Sequence, residues 1–73
     1  MNKNLKKLGE RIKELREKAG YTQPQFGQKL GTLKIVKIEN GEIDLPFTAL
    51  LEISEKLGVS VSVLLSAFWF LFK

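Results

Sequence analysis

The sequence predicts an all-α fold, a compact bundle of five short helices. Apolar residues recur at helical spacing in successive segments, glycines at 20, 31, 41 and 58 punctuate those segments, and capping residues stand where helices should begin. At 73 residues the chain holds one domain, residues 1–73, with a core so modest that an oligomer interface is a common supplement.

Leu5, Leu8, Ile12 and Leu15, with Ala19 a turn further on, predict an amphipathic helix over about 4–19, with Lys, Glu and Arg on its other face and Gly20 ending it. Thr22-Gln23-Pro24-Gln25 then reads as a capping box. The threonine hydroxyl accepts from the Gln25 amide while the Gln25 side chain reaches back to the Thr22 amide, and Pro24 falls in the first turn, where its missing N–H costs little. The second helix runs from about Gln23 to Leu30 and buries Phe26 and Leu30. Gly31 stops it, and Thr32 is the expected cap of a third helix carrying Leu33, Ile35 and Ile38 up to Asn40-Gly41. Taken alone, the β-branched run from Thr32 to Ile38 also suits a short strand. Pro46 opens a fourth helix whose inward residues are expected to be Phe47, Leu50, Leu51, Ile53 and Leu57, ending at Gly58. Ser60 caps a fifth, with Val61, Leu64, Leu65 and Phe68 as its stripe.

Composition narrows the chemistry. There is no cysteine and no histidine, which removes thiolate and imidazole metal sites, disulfides and the usual general base. No glycine loop for phosphate is present, and the carboxylates are scattered over solvent faces. No enzyme, no cofactor, no metal and no small-molecule ligand is therefore expected. The net charge is +4, and all of the excess lies in residues 1–20, which hold seven basic and three acidic side chains. That distribution suits either a solvated helix face or a surface that meets phosphate. Met1 to Lys7 is polar and no apolar signal segment follows, so a cytoplasmic location is expected.

The segments LGERIKELREKAGYTQPQFGQKLG, IENG and IDLPFTALLEISEKLGVSVSVLL together resemble the repressor/Cro-like (XRE-type) helix-turn-helix family from about Leu8 to Leu65. The resemblance implies a DNA-binding domain with its helix-turn-helix at helices 2 and 3. It puts Gly27 where the two motif helices touch, Gly31 at the tight turn, and Phe26, Leu30, Ile35 and Ile38 in the core. It further implies that Gln23 contacts a DNA phosphate, that Asn40 donates to the phosphate backbone, and that Arg16 and Glu39 form a buried structural pair. A first-turn residue open to water and a plain C-cap asparagine are the simpler readings of Gln23 and Asn40.

The chain departs from the family pattern between Thr32 and Lys37. Six residues stand where about eight are usual, which shortens the start of the recognition helix by about 3 Å. The outward positions left are Lys34, Val36 and Lys37, with Leu33 partly exposed. Lysine can meet phosphate or guanine and Val36 a thymine methyl, but no Asn, Gln or Arg offers a bidentate base contact. Lys29 completes the expected DNA-facing set of Gln23, Lys29, Lys34, Val36, Lys37 and Asn40, while Glu42 and Asp44 oppose phosphate.

The hydrophobic tail, residues 66–73, reads SAFWFLFK. No single helical face can bury five consecutive large apolar residues, so a partner surface is expected: a homodimer through Val63, Leu64, Phe68, Trp69 and Phe72. The apolar run over 59–72 is too short to span a bilayer, and a membrane partner is not expected. The leading reading is thus a dimeric, sequence-specific, repressor-like transcriptional regulator of double-stranded DNA. Its competitors are a protein-interaction module that keeps the fold without reading bases, and an engineered variant of such a domain.

Overall fold

A computed structural model describes residues 3–31 and 34–66, and among these residues the regular secondary structure is all helical, with no strand. The five helices are α1 (Lys3–Lys18), α2 (Gln23–Leu30), α3 (Ile35–Glu39), α4 (Phe47–Leu57) and α5 (Val61–Leu64). α1 packs on α3 and α5, α2 packs on α3 and α4, and α4 closes on α5.

Backbone capping fixes where the helices stop. After α1, Gly20 donates to the Glu17 carbonyl and Tyr21 to that of Arg16. After α3, Gly41 donates to Ile38 and Glu42 to Lys37, and after α4, Gly58 donates to Glu55 and Val59 to Ser54. Each is a Schellman motif with a left-handed glycine, which satisfies carbonyls that would otherwise be orphaned. α2 starts on the full capping box: Gln25 N donates to Thr22 Oγ1 at 3.2 Å and Thr22 N to Gln25 Oε1 at 2.9 Å.

The core is one cluster: Leu8, Ile12 and Leu15 of α1, Phe26 of α2, Ile35 and Ile38 of α3, Ile53 and Leu57 of α4, and Leu64 of α5. Phe26, Ile12 and Leu64 are its fully buried side chains. Among the described residues no buried side-chain polar atom lacks a partner.

Three expectations are corrected. α3 begins at Ile35 with Lys34 in the N-cap position and no side-chain cap bond, so the helix starts later than a Thr32 cap requires; Thr32 and Leu33 lie outside the described residues. Ala19 follows the end of α1 and is exposed. On α4 the inward face is Ile53, Ser54 and Leu57 with Leu50 half-buried, whereas Phe47 is 62% and Leu51 43% exposed. At 3.6 residues per turn those two fall on the flank of that face. Ser54 occupies the inward place instead, its hydroxyl satisfied by the Leu51 carbonyl at 2.8 Å. The fifth helix, a single turn, starts on the Ser60 cap with Leu64 buried and Val61 and Leu65 half-buried, and Phe68 lies outside the described residues.

Candidate nucleic-acid interface

α3 is positioned by what it buries. Ile35 and Ile38 insert into the core, and Glu39, itself buried, is pulled inward by Arg16 of α1. Two close backbone approaches fix α1 against the end of α3. A side chain at Gly9 would stand 2.5 Å from the Ile38 carbonyl oxygen, and one at Gly41 would stand 2.6 Å from the Lys6 Cα. Neither position has room for a Cβ. The outer face of α3 then carries Lys34, Val36 and Lys37, all exposed, with Val36 at 46%. Lys34 and Lys37 are three residues apart and share that face.

The Arg16 to Glu39 pair is bidentate: Nε donates to Oε2 at 2.6 Å and Nη2 to Oε1 at 3.1 Å. Nη1 donates to the Tyr21 carbonyl at 2.7 Å, so one guanidinium ties α1 both to α3 and to the loop leading into α2. Its hydrogen bonding to Glu39 holds the Arg16 pKa above the ordinary arginine value. Burial works in the other direction, and the charges of Glu39 and Glu17 add to the rise.

Gln23 is drawn into the same network. Its Nε2 donates to Glu39 Oε1 at 3.0 Å and the residue is half-buried, so it is neither a freely solvated first-turn residue nor a side chain standing clear of the protein. One amide hydrogen and the amide oxygen remain for another partner. Asn40 is the C-cap residue of α3, is exposed, and donates from Nδ2 to Glu42 Oε2 at 3.2 Å. Lys29, also exposed, bonds from Nζ to the Tyr21 hydroxyl at 2.7 Å. The geometry therefore brings Gln23, Glu39, Asn40 and Glu42 to one place, Lys34, Val36 and Lys37 to a second on the outer face of α3, and Lys29 to a third.

The C-terminal set divides. Val63 is 39% exposed, but Leu64 is fully buried in the protomer's core. Leu64 is hence withdrawn from the interface set, because a residue already enclosed by its own chain offers no surface to a partner. Phe68, Trp69 and Phe72 lie outside the described residues.

Several positioning residues escaped the sequence reading. Gly9 carried a signal, since a glycine inside an otherwise strong helix costs roughly 1 kcal/mol against alanine and usually has a packing reason. Arg11 also carried one: it is a cation on the buried side of α1, and it donates from Nη2 to the Val63 carbonyl at 3.2 Å and bridges Glu14 at 2.5 Å. The carbonyl contact of Tyr21 had no sequence signal, because it depends on where the Arg16 fork points.

Two short helices at residues 23–30 and 35–39, joined across a left-handed glycine turn and braced by α1, define a helix-turn-helix protein. A family model described as a helix-turn-helix domain matches residues 9–67, and the chain belongs to this family of XRE-type helix-turn-helix domains. No curated protein and no solved structure gives a significant match. Among the described residues no helix is long and apolar enough to cross a membrane, and no cluster of His, Cys, Asp or Glu could hold a metal ion.

Proposed function

We propose that the chain is a sequence-specific, repressor-like regulator of transcription that acts in the cytoplasm, binds double-stranded DNA through α2 and α3, and works as a homodimer through its C-terminal segment. The observation that carries the reading is the outer face of α3, which presents Lys34, Val36 and Lys37 outward in a chain of the helix-turn-helix family. Gln23 at the start of α2 and Asn40 at the end of α3 are the flanking phosphate contacts, and Lys29 adds charge from α2. In this reading Val36 meets a thymine methyl and the two lysines meet guanine or phosphate, giving a weaker base preference than a helix with Asn, Gln or Arg at those places.

Fluorescence anisotropy of a labelled duplex across a salt series tests it. Binding is expected to weaken steeply as salt rises, with a logarithmic slope of about 0.9 for each phosphate neutralised. A K34Q/K37Q variant should bind less tightly and with a shallower slope. A response that is flat with salt would sink the DNA reading.

A second reading, a protein-interaction module that has kept the fold, draws on a different observation. Pro24, Gly27, Ile35 and Val36 line an open, mainly apolar hollow beside the outer face of α3, with Gln23 at its edge. Binding of a protein in place of duplex DNA, lost on V36K, would favour it.

A further inference from the structure

The cations of α1 divide into engaged and unengaged groups. Arg11 is bonded to Glu14 and the Val63 carbonyl, Arg16 to Glu39, and Lys18 to Glu14. Lys6 and Lys13 are exposed, and among the described residues neither forms an ion pair, although Glu10 lies within helical reach of both. Lys6, Glu10 and Lys13 follow one another at i, i+4 and i+7, along one face of α1.

That face is exposed, and it lies beside the helix-turn-helix. The close approach of Lys6 to Gly41 and of Gly9 to the end of α3 turns it toward the helix-turn-helix. Lys6, Glu10 and Lys13 line an open cleft of about 450 Å³ together with Gln23, Glu39, Asn40 and Glu42. The two ammonium groups, unpaired among the described residues, therefore share a concave surface with the two residues assigned above to the DNA backbone. The lysines are roughly 10 Å apart along the helix, a span of about three nucleotides at 3.4 Å each.

We propose that Lys6 and Lys13 form a second strip of contacts to the sugar-phosphate backbone of duplex DNA, carried by α1 and not by the helix-turn-helix itself. The proposal rests on the DNA-binding reading. Glu10, set between the two lysines, and Glu42 limit the strength of the strip, since each adds a negative charge where phosphate would lie, whereas the charge of Glu39, which also lines the cleft, is offset by its pair with Arg16.

The test is a salt series of anisotropy titrations on a labelled random duplex with the full chain, K6Q/K13Q, E10Q, and K56Q as a single-charge control on α4. All these side chains lie outside the core, and matching thermal melts would verify that the variants are folded. Two lost phosphate contacts should flatten the slope by about 1.8, so the advantage of wild type over K6Q/K13Q shrinks roughly tenfold between 50 and 200 mM salt. E10Q should bind more tightly than wild type at low salt, and K56Q should keep the wild-type slope. If wild type binds steeply and K6Q/K13Q keeps its slope, the strip is overturned while DNA binding stands. If K56Q flattens the slope half as much as the double variant, the effect is one of net charge and the strip is likewise overturned. If wild type shows no salt-dependent binding, the DNA reading fails and the strip with it.

Discussion

Arg16 is the residue on which most of the scaffold converges, because its three donor nitrogens serve α3 and the loop before α2 at once. Removing it leaves the Glu39 carboxylate, 2% exposed, with only the Gln23 amide as a side-chain partner. Breaking a buried pair this way costs about 3–5 kcal/mol, against roughly 4–11 kcal/mol expected for a domain of this length. Arg16→Ala should accordingly unfold the chain or shift its denaturation midpoint sharply downward, and Glu39→Ala should do nearly the same. A double variant should lose little more than either single one, and additive losses in urea melts would show that the two side chains are not coupled. Arg16→Lys should also destabilise, since a single ammonium cannot reproduce the bidentate fork together with the bond to the Tyr21 carbonyl. The raised pKa of Arg16 implies no titration in the working range. The stabilisation it contributes is fully present below the ordinary arginine pKa and is lost only as pH rises through the raised folded value.

Elements differ in how much of their placement the sequence disclosed. The ends of α1, α2 and α4 were legible because glycine stops and the Thr22 capping box are local devices that act wherever the chain carries them. Substituting Thr22 by alanine should cost about 1 kcal/mol and Ser60, which accepts from Val63 N at 3.2 Å, a similar amount, both measurable by thermal melting. α3 was less legible. Its β-branched residues make a poor helix in isolation, and it is held by burial of Ile35, Ile38 and Glu39, which are tertiary facts. The flank of α4 was misjudged for a related reason: Phe47 and Leu51 satisfy the helical spacing, yet the neighbours that decide which arc turns inward come from α2 and α5. In the candidate site, positions 23 and 40 were readable from the family pattern, and 34, 36 and 37 only as the outward positions left where the chain departs from it. The bond from Gln23 to Glu39 was not, since it requires α2 and α3 in their folded relation. The seam of α1 with α3 gives a test whose sign opposes helix propensity. Gly9→Ala would ordinarily stabilise a helix by roughly 1 kcal/mol, but here the new methyl meets the carbonyls of Ile38 and Glu39. A lowered melting temperature is expected, and a raised one would mean that α1 sits further from α3.

At the scale of the whole molecule, the proposed function requires two copies. A single α3 of five residues offers few base contacts, whereas a two-fold pair places two such helices about 34 Å apart on a pseudo-palindromic site and multiplies their preference. The burial pattern dictates how to probe that pairing without wrecking the protomer. Leu64 is the wrong residue to change, because Leu64→Ala would empty a fully enclosed core position at a cost of about 2–5 kcal/mol and confuse unfolding with dissociation. Val63 is the better choice, with its side chain partly exposed and its carbonyl held by Arg11 whatever the side chain is. Val63→Lys, alone or with Trp69→Lys, should convert the proposed dimer to a monomer in sedimentation velocity while leaving the helical circular dichroism intact. It should also weaken binding to a two-half-site duplex far more than to a single half-site. Trp69 is the chain's only tryptophan, so the emission maximum of the parent protein should move to shorter wavelength as concentration rises through the dimerisation range. A parent chain that sediments as a monomer at tens of micromolar and whose emission stays fixed would refute pairing through this segment. It would leave α3 of a single protomer as the whole of the base-reading surface, and DNA binding of that kind should be weak and nearly indifferent to sequence.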